Sequence, residues 1–208
     1  MEPAKSVPNT GLALWIKPRA DFADASDSAR KVSAAGDSPP KFADSVAGRS
    51  AVKFDGKAGC LAVPHSDDLA FKVGDSFTIS AWVHLDSVPH DGWKGVVTKS
   101  RDAKPWYGLW IEGEGRWCFG GAGNLTGAAA VTGWQHVCAV QESVGGRKLY
   151  VKGNLSATGN SAEGSGSGDL WIGGAKSTSE YLEGSIGDVR VYRRALDASE
   201  VLYLAQNP

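Results

Sequence analysis

The two carboxylates of Glu112-Gly113-Glu114 stand two residues apart, the spacing that puts side chains on one face of a strand. Glycoside hydrolysis needs such a pair, one acid to protonate the leaving oxygen and one to attack or activate water. Here glycines flank both acids and put them in a hairpin turn, so they read as solvated turn residues. The four histidines (65, 84, 90 and 136) are scattered. No G-x-S-x-G nucleophile elbow occurs. The zinc spacings C-x-x-C and H-x-x-x-H are also missing.

A second chemistry belongs to aromatics in loops. Trp93 lies in the turn-rich segment Val88-Pro89-His90-Asp91-Gly92-Trp93-Lys94, and Trp106 follows the polar run Arg101-Asp102-Ala103-Lys104-Pro105. Loops are surface features, and binding residues concentrate on them. An exposed indole can stack on the apolar face of a pyranose while nearby Asp, Lys and Arg bond its hydroxyls. Trp93, Trp106, Asp91 and Arg101 are therefore candidate ligand contacts, joined by Trp110 and Tyr181. Trp110 alternates with Leu109 and Ile111, which directs it to an open sheet face. The competing reading is that loop tryptophans fold back over the ends of the structure. Trp15, Trp82, Trp134 and Trp171 fall inside strands, and most of them read as core.

Composition bounds the rest. The 208 residues carry 22 basic and 23 acidic side chains, so no clustered positive surface is expected and nucleic acid is an unsuitable partner. No run of about 18 apolar residues is present, which excludes a membrane-spanning helix. Three cysteines (60, 118 and 138) leave at least one thiol unpaired; most read as small buried hydrophobes, with a Cys118–Cys138 bridge as an alternative. Residues 1–10 read as a leader or linker without the basic and apolar regions of a signal peptide.

The elements that must carry these residues are short strands. Phe77 to Leu85 alternates cleanly, with Phe77, Ile79, Ala81, Val83 and Leu85 on one face and Thr78, Ser80, Trp82 and His84 on the other. Further strands are predicted at 11–16, 51–56, 60–64, 95–99, 169–173 and 186–192. Hairpins are predicted at 107–120 and 134–152, the second turning at Val144-Gly145-Gly146. Residues 17–50 read as long loops with one strand at most, and Ser161 to Gly168 as a flexible loop. Asp197-Ala198-Ser199-Glu200 has a capping-box pattern, predicting one helix from Ala198 to Ala205. The expected fold is an all-β, two-sheet antiparallel sandwich over 11–208 with one short C-terminal helix.

Five pieces in order carry a family resemblance: Val52-Lys53-Phe54-Asp55-Gly56, Ser76 to Val83, Gly133-Trp134-Gln135-His136-Val137, Lys148 to Gly153, and Gly184 to Leu196. With them the chain resembles laminin G-like, concanavalin A-type jelly-roll domains. The resemblance implies two curved sheets, an exported or cell-surface setting within a larger protein, and a packing role for His136. It also implies a structural Ca²⁺ held in part by Asp188, with Asp55 on a strand end that could lie nearby. The competing reading of Asp188 is a strand-end cap or an ion pair with Arg190 or Arg194. Glucanases of this superfamily carry E-x-D-x-x-E on a strand, and that motif is missing here. The expected function is thus a non-catalytic carbohydrate-binding module for a polysaccharide or glycan. A protein-interaction or adhesion domain is the alternative, and a divergent glycoside hydrolase or lyase the third reading.

Overall fold

Strand β6 (Phe77–Leu85) forms as its alternation dictates. Its odd-numbered apolar residues are fully buried between two sheets, and its even-numbered residues face outward. The computed structural model describes residues 9–207 except 19–20, 47, 122, 144–145, 162–163 and 176–177, with backbone only at 44–46. Most of the leader and the Val144-Gly145 turn therefore lie outside the described residues.

The other strands are β1 (Leu12–Ile16), β2 (Ser33–Ala35), β3 (Lys41–Val46), β4 (Arg49–Asp55), β5 (Cys60–Val63), β7 (Lys94–Lys99), β8 (Tyr107–Ile111) and β9 (Arg116–Gly120). They continue as β10 (Leu125–Ala129), β11 (Gly133–Gln141), β12 (Arg147–Val151), β13 (Asn154–Gly159), β14 (Leu170–Ile172) and β15 (Glu183–Tyr192), before helix α1 (Ala198–Gln206). One antiparallel sheet runs β13-β12-β11-β6-β15-β4-β3, with β1 beside the end of β15. The other runs β10-β9-β8-β7-β14-β5-β2. We call them the front-strand sheet (with β6) and the hairpin sheet (with β8). Their inner faces enclose one core of Leu, Val, Ile and Phe side chains around Trp117.

Three differences from the sequence reading have physical causes. The segment 17–50 holds β2, β3 and the start of β4, which pair at sheet edges where little apolar alternation is needed. Strands β10 and β13 went unpredicted because their small and polar residues are largely exposed. Trp15, Trp82, Trp134 and Trp171 lie on outward faces, where Trp82 and Trp171 are buried; Trp117 is the indole between the sheets. The cysteines follow their favoured reading: Cys118 and Cys138 lie in different sheets, and all three are buried with no disulfide between them. Burial holds the Cys118 thiol up at about 11 and Cys138 higher still.

Helix α1 starts as predicted. Asp197 accepts from the Ser199 and Glu200 amides at 2.8 and 2.9 Å, and Glu200 accepts from the Asp197 amide at 3.0 Å. Val201 and Leu204 then bury against Cys138, Val140, Tyr150 and Tyr192, closing one end of the front-strand sheet's outward face. Neither this helix nor any other stretch described is a helix long and apolar enough to cross a membrane.

Candidate functional site

The outward face of the hairpin sheet is built around glycine. A Cβ on Gly108 would stand 2.8 Å from the Trp110 ring, and one on Gly120 would stand 3.0 Å from it. The missing side chains leave a trough in which the Trp110 indole lies fully buried. Its Nε1 donates to Glu180 Oε2 at 3.1 Å. Trp106 meets Trp110 edge-on, with ring centroids 5.2 Å apart at 71°. The Arg101 guanidinium lies 4.4 Å over the Trp106 ring. Arg101 Nε and Nη2 donate to the two Glu180 oxygens at 3.0 and 2.7 Å, a bidentate pair.

The loop carrying Arg101 and Trp106 is anchored from beneath. Lys99 ends β7 with no exposed surface; its Nζ donates to the Gly166 and Gly168 carbonyls and to Ser100 Oγ, with His65 Nδ1 3.1 Å away. Ser100 Oγ donates to the Gly166 carbonyl at 2.8 Å, and the Gly166 amide donates to the Pro105 carbonyl at 2.7 Å. Burial brings the Lys99 ammonium down to about 8 despite Asp169 and Asp102 nearby. The loop carrying Trp93 turns through Gly92 at φ +111°, a conformation that glycine adopts without strain. It rests on the β8–β9 turn, where Gly113 approaches Gly92.

Trp93, Arg101, Trp106, Trp110 and Asn124 line one cavity of about 210 Å³. Four of the six ligand contacts expected from sequence thus come together, though in different roles. Trp93 is 38% exposed and Trp106 half-buried, whereas Trp110 is 1% exposed and forms the floor. Asp91 and Tyr181 line a neighbouring cavity of about 500 Å³ instead. Asp91 is held there by Lys94 at 3.1 Å, and buried Tyr181 packs with Trp171 and Cys60. Asn124 and Glu180 were not picked out from sequence. Asn124 precedes the unpredicted β10, and Glu180 sits in a polar loop before β15; only the fold brings Asn124 to the cleft and Glu180 to Arg101 and Trp110. A roomier cavity of about 610 Å³ is lined by Lys41, Lys53, Asp55, Asp86 and Glu183 beside Phe42. It mixes both signs of charge and offers no indole, so the smaller cleft is better equipped to hold a sugar ring.

The residues proposed for calcium are not brought together. Asp55 pairs in register with Glu183, and Asp188 lies five positions further along β15, about 16 Å at strand rise. Asp188 sits at a bulge with φ +48°, accepts from Trp15 Nε1 at 2.6 Å and pairs with Arg190 at 3.0 Å. The competing ion-pair reading of Asp188 thus fits the geometry, and a cation there would face the Arg190 guanidinium. Asp55 accepts from Ser38 and from the Lys57 amide, which hold its carboxyl below the usual range. Among the described residues no three His, Cys, Asp or Glu side chains gather as a metal would require.

Two arrangements could suggest catalysis. Ser80 Oγ and His136 Nε2 are 2.8 Å apart, but both residues are sealed from solvent and Nδ1 of His136 has no hydrogen-bond partner to orient it. Burial, then the charges of Arg190 and Arg49, hold His136 down at about 3, so the ring is neutral and packs against Trp82. Glu112 sits at the hairpin turn and accepts from the Glu114 amide at 3.2 Å.

Known folds agree with this architecture. Domain 4 of AbnA, a GH43 extracellular arabinanase from Geobacillus stearothermophilus solved with arabinotriose, matches at TM-score 0.73 and 20% identity, over 94% of this chain and 98% of that one. A structure reported for botulinum neurotoxin type C, whose cell entry depends on two ganglioside molecules, matches at TM-score 0.76 and 16% identity, over 94% of this chain and 51% of that one. The sialidase of Trypanosoma rangeli matches at TM-score 0.70 and 20% identity, over 96% of this chain and 33% of that one. At these identities the likeness is one of fold. A sequence comparison with curated proteins gives no match. The model of the concanavalin A-like lectin/glucanases superfamily matches residues 54–202, most of the sandwich, and the chain belongs to that superfamily.

Proposed function

We propose that the chain is a non-catalytic carbohydrate-binding module and that the cleft between Trp93 and Trp106 holds one sugar residue. The observation that carries this reading is the cleft itself: two accessible indoles, an arginine and an amide converge on one small cavity over a rigid floor. Stacking supplies affinity, and the polar edges of Arg101 and Asn124 supply orientation. About 210 Å³ is below the roughly 300–1,000 Å³ of pockets for larger ligands and suits a single ring. The fold likeness to an arabinanase domain solved with arabinotriose supports a saccharide partner, and the extracellular source of that domain supports an exported setting in a larger protein. Neither cleft wall offers a pair of free carboxylates, since Glu180 is committed to Arg101 and Trp110.

A glycan and polysaccharide panel with the purified protein tests the reading. Saturable binding to one glycan class, weakened about tenfold in Trp106→Ala, is the expected result. A blank panel with folded protein would instead support a protein-interaction or adhesion domain. Product release from any polysaccharide would move the assignment to a hydrolase or lyase.

A further inference from the structure

We propose that Glu180 sets the charge specificity of this cleft, admitting uncharged sugar residues and turning away acidic ones. The inference rests on the cleft being a saccharide site. Among the described residues Arg101 is the one charged side chain lining the cavity. A guanidinium at the mouth of an aromatic cleft is ordinarily a receptor for carboxylates, because its planar fork matches them with two parallel bonds. Here that edge is taken. Nε and Nη2 both point into Glu180, and Trp110 Nε1 fixes one of the same oxygens from the floor.

Two consequences follow for an incoming sugar. The remaining guanidinium N–H groups, which make no bidentate contact with Glu180, still donate to neutral hydroxyls. A uronate or sialate carboxylate would find the bidentate edge occupied and a like charge directly behind it, in a half-buried setting where screening is weak. The Arg101–Glu180 pair is neutral as a unit, so the cleft presents stacking faces and hydrogen-bond groups without net charge. Glu180 acts through Arg101 and is a positioning residue for specificity.

The test compares methyl glycosides of neutral hexoses and pentoses with those of the matching uronic acids, by calorimetry on the folded protein. The wild type is expected to bind a neutral glycoside at least about tenfold more tightly than its acidic counterpart. Glu180→Gln keeps the shape and one acceptor but frees the guanidinium charge, and should move the acidic-to-neutral ratio up by about tenfold. The double variant Glu180→Gln/Arg101→Gln should lose that gain. Arg101→Gln alone, which leaves the Glu180 charge without its cation, should move the ratio the other way and serves if Glu180→Gln does not fold. A wild type that prefers acidic sugars overturns the proposal while leaving the saccharide site standing. An unchanged ratio in the folded Glu180→Gln protein does the same. Failure to bind either set, with no effect of Trp106→Ala, overturns the saccharide site and this proposal together.

Discussion

Both outward faces of the sandwich carry arginine stacked on tryptophan, yet they have different uses for it. On the front-strand sheet Arg49 lies 3.8 Å over Trp82, Arg190 lies 4.6 Å over Trp15, and Asp188 links Arg190 to the Trp15 indole. These side chains come from neighbouring strands, and Trp82 Nε1 donates to the Leu204 carbonyl of α1 at 3.2 Å. The cluster is a closed polar and aromatic lid. On the hairpin sheet the stack comes from loops, and glycines in the strands below leave room for it to sink. There the same pairing rims a cavity. Stacking chemistry alone does not mark a site; the backbone beneath it decides whether space is filled or left.

The sharpest contrast comes from the two buried indoles. Trp82→Ala and Trp110→Ala should each cost about 3–5 kcal/mol in denaturant unfolding, since both remove a buried indole. Only Trp110→Ala should abolish glycan binding under conditions where both variants remain folded. Equal loss of binding in both would erase the distinction between the faces.

Acid should separate the faces next. His136 titrates near 3 when folded and near 6.5 when unfolded, so below pH 6.5 the unfolded chain takes up a proton that the folded one refuses. Stability should therefore fall as pH drops from about 6.5 to 4.5. The depressed carboxyls of Asp24, Asp55, Asp68 and Asp197, with ordinary values of 3.8, act only below that window. His136→Gln should flatten the decline in melting temperature across this range. A decline as steep in the variant would assign acid sensitivity elsewhere.

The smallest effects belong to the rim. Trp106→Ala should weaken glycan binding by about tenfold. Trp93→Ala should weaken it severalfold while costing less stability than Trp110→Ala, because the Trp93 indole is partly exposed where that of Trp110 is fully buried. A large stability loss in Trp93→Ala would make it a cover for the sandwich instead.

Sequence reading reached the fold through β6, β11, β15 and the capping box of α1, where alternation or a local hydrogen-bond pattern is written into consecutive residues. It singled out Trp93, Arg101 and Trp106, which the fold brings to one cleft, because loop aromatics beside polar residues are visible locally. It misplaced the strand tryptophans because alternation gives two faces without saying which one is inner when the outer face is also covered. It separated neither Trp110 as floor from Trp106 as wall nor Asp91 from the cleft, since both depend on how distant loops meet. Glu180 lies 79 positions from Arg101, and no local pattern links them.

Lys99 gives the cleft a kind of independence. Its ammonium occupies a nest of two carbonyls and a hydroxyl, the donor set that loops of this sort could otherwise offer to a dissolved cation. A tethered cation cannot be diluted away or chelated, and only a pH above about 8 discharges it. The Arg101–Trp106 loop is thus pinned by a cation that the chain itself supplies.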